Sequence, residues 1–390
     1  MQVFWLPDKE PGHNDNNTNS NNGTNNSSRR SNKKLPPLPP ELISTVLDHT
    51  PRSNLPQLAL VSKQWHAEAN PRLYRHLYIT TPYHWECLVR TMENPEFTMG
   101  QYVESLVLRP SPKLAPSSRY SDVVSKQHGA PSGYVRIEPI DFNLTGLEHM
   151  NDNYPELETT QKEAEWLQTV IPKDMAIVLN QCNNSLAYLD IGGCELLGDQ
   201  VLEYCSNTIT STEYLKAIWV PLVRGLTPTG LSHLATKTNP HLRHVDLSFC
   251  LNITDDALIS AVECWPGLTH LRLNSLYHIT DASIVAIAQS CPRLQLLYLV
   301  RCWQVTNDGL AVIALKCPDL VYVSVAFLSR TTEEGVGQLI KQLPKLKWID
   351  ITGCGINSLF KQMIIGSWKK ARLERGWDNI YFNDSSVALL

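Results

Sequence analysis

The chain has 390 residues, of which 43% are hydrophobic and 18% are charged, and its formal net charge at pH 7 is -4. A chain of this length can form one large or two modest folded units. The near-neutral charge gives no reason to propose a nucleic acid or membrane surface as a partner. The longest apolar runs are much shorter than a bilayer span, so we predict no membrane segment.

The first 34 residues form the least structured part of the predicted chain. The opening MQVFWLPDKEPG lacks the basic start and apolar stretch of a secretory signal. Residues 13–34 are rich in asparagine and serine and cannot bury enough apolar surface to offset the entropy of ordering. We therefore predict a disordered tail over 1–34. The four basic residues at its end could form a weak nuclear-import patch or simply a solvated linker: Arg29, Arg30, Lys33 and Lys34.

Residues 35–80 have the spacing of three short amphipathic helices. Pro39 and Pro40 start the first, and Pro51 ends it. The second starts at Leu55 and extends through Trp65, and the third begins near Pro71. A unit of this size has a small core, so we expect it either to dock on the rest of the chain or to present apolar residues to a partner.

Residues 81–180 are predicted to be a linker with a candidate outlying first repeat and an insertion. The candidate repeat is YVESLVL at 102–108. The insertion, 109–180, begins with a stretch typical of a loop and ends with a segment whose apolar spacing suggests a helix broken near Pro172.

Residues 181–356 contain an internal repeat. Five leucine anchors follow one another at intervals of 26 residues, namely Leu242, Leu268, Leu294, Leu320 and Leu346. Looser copies of the frame begin at Leu215 and Leu186. A fixed period in this range indicates a repeat architecture, whose extended surface favours recognition over catalysis.

Each repeat reads as a short strand, a tight corner and a capped helix. A threonine stands 12 residues after each of the first four 26-residue anchors, followed by a polar residue, as expected of a helix N-cap. Apolar residues 16 and 19 positions after the anchor share one helix face. Residues 357–390 read as a helix that caps the last repeat, plus a tail.

The cysteines follow the same period. Four of them stand eight residues after an anchor, in a column that also accepts leucine: Cys194, Cys250, Cys302 and Cys354. We interpret these side chains as small hydrophobes. The sequence has no C-x-x-C pair, which argues against a zinc site, and we predict no metal or other cofactor. Ten cysteines without a secretory signal fit a reducing compartment, so we predict a location in the cytoplasm, the nucleus or both.

Strand parity identifies a candidate substrate surface. Side chains at the anchor and three and five residues after it point into the core, so those two, four and six residues after it point outward. Aromatic side chains beside an arginine are typical of binding hot spots, although aromatic residues also have a high intrinsic strand propensity without any binding role. The predicted substrate-binding residues are Tyr188, Trp219, His244, His270, Arg272, Tyr298, Tyr322 and Trp348. Arg301, Trp303 and Arg330, in the following loops, would extend this surface.

The sequence offers no catalytic signature. It lacks a Gly-rich phosphate loop, a G-x-S-x-G motif and an H-E-x-x-H motif. The repeat columns already account for the cysteines, so we predict a non-catalytic protein.

Two resemblances to known families follow from these residues. The repeats over roughly 180–356 resemble the cysteine-containing class of leucine-rich repeats, which implies a curved solenoid with a concave parallel sheet and outer helices.

The segment at 35–80 resembles an F-box: Leu38, Pro39, Glu41, Leu42 and Ile43 match its opening, and L-x-x-L-x-x-V-S-K-x-W from Leu55 matches its middle. Pro56 departs from the pattern, but in the first turn of a helix it is tolerated. The predicted fold is therefore α/β, a small helical F-box followed by the repeat solenoid.

By resemblance, the chain looks like the substrate-recognition subunit of an SCF (cullin-RING) ubiquitin ligase. The F-box would bind the Skp adaptor, and through it the cullin and RING subunits, while the repeats would hold an unknown protein substrate. The residues that would bind the Skp adaptor are Leu38, Pro39, Leu42, Ile43, Val46, Leu47, Leu55, Leu58, Val61 and Trp65. About half of the helical apolar residues are expected at this interface and the others in the core.

Two alternatives stay open at this point. The chain could bind the Skp adaptor in a non-degradative complex in which the repeats act as a scaffold. It could instead be a plain repeat scaffold whose F-box-like segment only caps the solenoid.

Overall fold

A computed structural model describes residues 38–108, 165–182, 185–208, 215–235, 239–356 and 361–383. The predicted tail at 1–34 and the first part of the predicted insertion, 109–164, lie outside these residues. The chain divides into two compact units, a helical unit that ends at Leu73 and a repeat unit that begins at Tyr74. Among the described residues, no helix combines the length and the apolar character needed to cross a membrane.

The helical unit contains three α-helices in its described part, residues 38–73. They are α1 (Pro40–Asp48), α2 (Leu55–Ala59) and α3 (Lys63–Tyr74), with a 3₁₀ turn over Arg52–Asn54. The core is formed by Ile43, Leu47, Leu55, Ala59 and Ala69, with Leu58, Trp65 and Leu73 packed against it.

The predicted helix boundaries need one correction. The second helix ends at Ala59, so Trp65 belongs to the third helix, and Pro71 lies inside that helix instead of starting it. The third helix begins at Lys63, well before the predicted start near Pro71. The Ser62 hydroxyl caps it by accepting a hydrogen bond from the backbone N–H of Trp65 at 3.4 Å. Pro71 then removes only one backbone donor near the end of the helix.

Among the described residues, the repeat unit has one sheet of ten parallel strands whose spatial order follows the sequence. In chain order these are β1 (His76–Ile79), β2 (Ser105–Leu108), β3 (Tyr188–Asp190), β4 (Ala217–Trp219), β5 (His244–Asp246), β6 (His270–Arg272), β7 (Leu296–Tyr298), β8 (Tyr322–Ser324), β9 (Trp348–Asp350) and β10 (Tyr381–Asn383). Equivalent positions of neighbouring repeats pair directly, so that His244 faces His270 and His270 faces Leu296.

A helix follows nearly every strand. In chain order they are α4 (Pro82–Glu93), α5 (Pro172–Gln181), α6 (Asp199–Thr208), α7 (Pro228–Leu234), α8 (Asp255–Glu263), α9 (Asp281–Ser290), α10 (Asn307–Lys316), α11 (Glu333–Gln342) and α12 (Lys361–Glu374). The two predicted helix columns are buried in one continuous core with the leucine anchors. The strand, corner and helix predicted for each repeat are confirmed.

The sheet extends beyond the predicted repeat boundaries of 181–356. At its start, β1 pairs with β2 and β2 with β3, so the candidate outlying repeat is an integral part of the sheet. At its end, β10 pairs with β9, where we had predicted only a tail. The 26-residue period did not predict these strands because the connections between them differ in length. Parallel pairing joins backbone groups and does not require a fixed spacing in the sequence. The segment predicted to be a helix broken near Pro172 consists of a 3₁₀ turn over Glu165–Thr169 followed by α5, which begins at Pro172.

Carboxylates link the helix caps of successive repeats. The Thr306 hydroxyl accepts a hydrogen bond from the N–H of Asp308 as an N-cap. The same hydroxyl donates to Asp281 Oδ2 at 2.6 Å, and the Thr306 N–H donates to Asp281 Oδ1 at 2.8 Å. Asp281 belongs to the first turn of the preceding helix, so each threonine joins two repeats. Thr227 and Thr280 bond in the same way to Asp199 and Asp255. The Thr332 N–H likewise donates to Asn307 Oδ1, but the Thr332 hydroxyl accepts from Asn307 Nδ2.

The thiols do more than fill space. Cys250, Cys302 and Cys354 donate from Sγ to the carbonyls of Val220, Leu273 and Val325 in the preceding repeats. All ten cysteines are free, and burial raises the pKa of Cys302 to about 12. These buried thiols are therefore inert, as expected for structural cysteine.

Candidate protein-binding surfaces

The apolar side chains of the helical unit divide into two sets. Ile43, Leu47 and Leu55 are buried in the core. Leu42 is 53% exposed and Val61 is 60% exposed, and both lie outside that core. The remaining exposed members of the predicted Skp-binding set are Leu38, Pro39 and Val46.

The predicted Skp-binding residues thus include both core and exposed side chains, and binding by each of them stays a prediction. Ile43, Leu47 and Leu55 have almost no surface to offer a partner, because the small unit needs them for its own core. Leu58 and Trp65 are partly buried against the same core. Leu60, which is exposed and was absent from the predicted set, joins Val61 in the turn between α2 and α3.

Ion pairs and hydrogen bonds hold the three helices of this unit together. Arg72 Nη2 lies 2.8 Å from Asp48 Oδ1 and also donates to the Ser44 hydroxyl at 2.6 Å, which joins α3 to α1. Arg52 donates to the carbonyl of Leu73 at 3.0 Å. These polar contacts supplement the small core and orient α1, the helix that carries Leu42 and Val46.

In the repeat unit, the predicted outward side chains form a row of rings across the sheet. The centroids of His244 and His270 lie 4.2 Å apart, and those of Tyr298 and Tyr322 lie 4.6 Å apart. The Trp348 ring stacks on Tyr381 of β10 at 4.4 Å. The structure therefore brings the predicted residues together on one surface, which we call the outer sheet face.

The charges on the outer sheet face largely satisfy one another. Arg272 Nη1 lies 3.9 Å from Asp246 Oδ2, and the Arg272 guanidinium lies over the Tyr298 ring at 4.7 Å. Burial raises the pKa of Asp246, although Arg272 opposes this shift. The Ser324 hydroxyl donates to Asp350 at 3.1 Å. Because these groups are already paired, a ligand would gain little from them without breaking existing contacts.

Several predicted binding residues on this face are also hard to reach. Trp219 and Tyr322 are buried, and Tyr188, His244, His270, Arg272, Tyr298 and Trp348 are only partly exposed. Side chains at equivalent positions of adjacent strands lie next to one another and cover part of each other's surface. Strand parity does not predict how much of each side chain the adjacent repeats leave accessible.

The paired histidines make the stability of the repeat unit depend on pH. Burial lowers the pKa of His244 to about 4 and that of His270 to about 3, and Arg272 contributes to both shifts. An unfolded histidine has a pKa near 6.5. As the pH falls from about 7 to about 4, the unfolded chain therefore binds protons that the folded chain does not, and stability falls.

We expect a loss of up to about 1.4 kcal/mol per pH unit for each of these histidines. Urea unfolding at about pH 7 and about pH 5 measures this difference. The double variant His244→Asn, His270→Asn should have a weaker pH dependence, whereas His278→Asn, at an exposed position, should behave like wild type. An unchanged slope in the double variant would contradict the assignment.

The described residues give no sign of a metal centre. They contain no group of three or more His, Cys, Asp or Glu side chains placed to hold a metal ion.

Comparison with known proteins gives one family match, in the N-terminal part of the chain. Residues 35–80 match the family model described as F-box-like. No curated protein matches the chain. A solved structure described as the Rad7 and Elc1 complex in yeast aligns with a TM-score of 0.46 and 14% identity, over 90% of this chain and 94% of that chain. The TLR13–ssRNA13 complex aligns with a TM-score of 0.32 and 13% identity, over 50% of this chain and 27% of that chain.

The chain thus has an F-box-like domain, which spans the helical unit and β1, followed by a leucine-rich-repeat-like unit with a parallel sheet and helices. The family match covers residues 35–80 only. The TM-scores of both solved structures are too low to support conclusions about function.

Proposed function

We propose that this protein is the substrate-recognition adaptor of an SCF (cullin-RING) ubiquitin ligase. The F-box-like domain would bind a Skp-type adaptor, and through it the cullin and RING subunits. The repeats, which we assign to the cysteine-containing class, would hold a protein substrate for ubiquitination in the cytoplasm or nucleus. The ubiquitin-transfer chemistry would take place on other subunits, and this chain would contribute by positioning the target.

One observation carries this proposal. The segment that matches the F-box-like model keeps Leu42, Val46 and Val61 outside the core of its helical unit. Exposed aliphatic side chains on a short amphipathic helix are suited to a groove on a partner. Leaving such side chains in water has no benefit for folding, so a binding role accounts for them better than a structural one.

The test measures complex formation with a purified Skp adaptor by size-exclusion chromatography and calorimetry. We expect wild type to form a complex at micromolar concentration. The double variant Leu42→Asp, Val61→Asp should bind at least 100-fold more weakly, since each substitution places a charge in an apolar contact.

The matched control is Leu315→Asp, which changes a leucine that is 68% exposed on α10 of the repeat unit. This variant should bind the adaptor like wild type. Circular dichroism must show that the double variant is still folded. Failure of wild type to bind, or equal binding by the double variant, would refute the F-box role. If the complex forms, ubiquitination of a captured partner in a reconstituted ligase separates a degradative adaptor from a non-degradative scaffold.

A further inference from the structure

Three neighbouring repeats place a large apolar side chain in the turn between strand and helix. Leu251, Tyr277 and Trp303 each stand nine residues after a leucine anchor. Leu251 is 42% exposed and Trp303 is 47% exposed. The rings of Tyr277 and Trp303 stack with centroids 4.6 Å apart and planes 12° apart. The stack is a rigid apolar surface at the carboxyl end of β5, β6 and β7.

The turns after β7 and β8 carry arginines that have no acidic partner among the described residues. Arg301 and Arg330 make no ion pair with any carboxylate in the part of the chain that the structure describes. The Arg301 guanidinium lies over the ring of Phe327, in the turn of the next repeat, at 5.3 Å. Three repeats closer to the N-terminus than Arg301, by contrast, Arg224 lies 3.1 Å from Glu195 and forms an ion pair with it.

These turns also present the residues in a defined conformation. The residue seven positions after each anchor has a positive φ in all seven repeats, and it is Arg301 in one of them and Phe327 in the next. The N–H of Arg301 donates to the carbonyl of Ala326 at 3.0 Å, and that of Phe327 donates to Thr352 at 2.7 Å. The backbone of the turn is therefore fixed before any ligand arrives, so binding would cost little ordering entropy.

We infer that these turns bind a segment of the protein substrate in which a large apolar side chain lies next to carboxylates. The surface, which we call the turn ridge, consists of Leu251, Tyr277, Arg301, Trp303, Phe327 and Arg330. The apolar side chain packs on the Tyr277–Trp303 stack, and the carboxylates pair with Arg301 and Arg330. The inference deepens the proposed function, on which it rests, because it names the class of substrate and the surface that holds it.

Charge and accessibility favour this occupant and this surface. On the outer sheet face the charges are paired and its predicted aromatic residues are buried or partly buried, whereas the turn ridge has the exposed side chains of Trp303 and Leu251 and two arginines that pair with no carboxylate among the described residues. Nucleic acid would require more cations, since sequence-independent binding rests on several phosphate contacts and the ridge has only two arginines.

The test begins with a random peptide library displayed on phage and selected against the full-length chain. We expect the enriched peptides to carry Asp or Glu beside an aromatic or large aliphatic residue. Fluorescence polarisation then measures the affinity of one enriched peptide and of the same peptide with its acids changed to lysine. Arg301→Glu should weaken binding by roughly tenfold or more, and the triple variant Arg301→Glu, Trp303→Ala, Arg330→Glu should abolish it.

The control variant is Arg293→Glu, which makes the same charge change just before the amino-terminal end of β7. The turn ridge lies at the carboxyl ends of the strands, so this variant should bind the peptide like wild type. No enrichment, enrichment without acidic residues, or equal binding by the triple variant would overturn the inference. So would displacement of the peptide by a single-stranded oligouridine. The triple variant should still bind the Skp adaptor, so loss of peptide binding is distinguishable from failure of the proposed function.

Discussion

Replacing Arg372 by methionine should destabilise the end of the repeat unit by about 3–5 kcal/mol. Arg372 lies on α12, and its side chain is buried although it carries a charge. Its guanidinium donates to the carbonyls of Ile340, Leu343 and Leu346 at 2.8 Å each. It also donates to the carbonyls of Pro344 and Asp378 at 3.2 Å.

The size of the expected effect follows from the carbonyls that would be left behind. Several of them belong to the end of α11 and the turn that follows it, where helical carbonyls have no partner within the helix. Methionine has a similar length but no donor, so it would remove the arginine donor from these carbonyls, at a cost of about 1–3 kcal/mol for each one left buried and unpaired. Removing the buried charge offsets part of that cost, so we expect a net loss of about 3–5 kcal/mol. Lysine should not restore stability, because its three donors cannot match the planar fork of arginine.

Urea unfolding and hydrogen exchange measure the Arg372→Met effect. Exchange should accelerate over 333–383 and stay unchanged over 74–108, since each repeat contacts only its neighbours. The control is Lys370→Met on the same helix, whose side chain is exposed and which should leave the stability nearly unchanged. Wild-type protection in the Arg372→Met variant would show that the guanidinium is not the cap of this unit.

Replacing Ile43 by alanine should unfold the helical unit, whereas replacing the adjacent Leu42 by alanine should not. Ile43 is completely buried at the centre of the small core. Its truncation is expected to cost about 2–5 kcal/mol, which a core of this size cannot spare. Leu42 is mostly exposed, so its truncation should change stability by less than about 0.5 kcal/mol.

Both variants should lose adaptor binding, but for different reasons. Ile43→Ala should increase hydrogen exchange across 38–73, while Leu42→Ala should keep wild-type protection and bind the Skp adaptor at least tenfold more weakly. Calorimetry with the adaptor and hydrogen exchange on the same samples make the comparison. Normal exchange in Ile43→Ala, or normal binding by Leu42→Ala, would contradict the assignment of these two residues to core and interface.

The sequence alone determined the repeat architecture. A leucine every 26 residues, with a threonine 12 residues later, predicted the strand and the helix start of each repeat because both periodicities are local. The prolines and apolar spacing of 35–80 similarly predicted three short helices. Local patterns predicted these elements because helix caps and buried faces depend on residues close together in the chain.

Only the tertiary structure decided which side chains remain accessible. Leu42 and Ile43 have the same apolar character in the sequence, yet one lies outside the core and the other is buried in it. The outer sheet face likewise has the predicted aromatic residues, but neighbouring repeats cover much of their area. The roles of Arg372 and of β10 depend on contacts with residues roughly 30 positions earlier in the chain. Accessibility and capping are properties of the packed neighbours, and no periodic pattern in one segment encodes them.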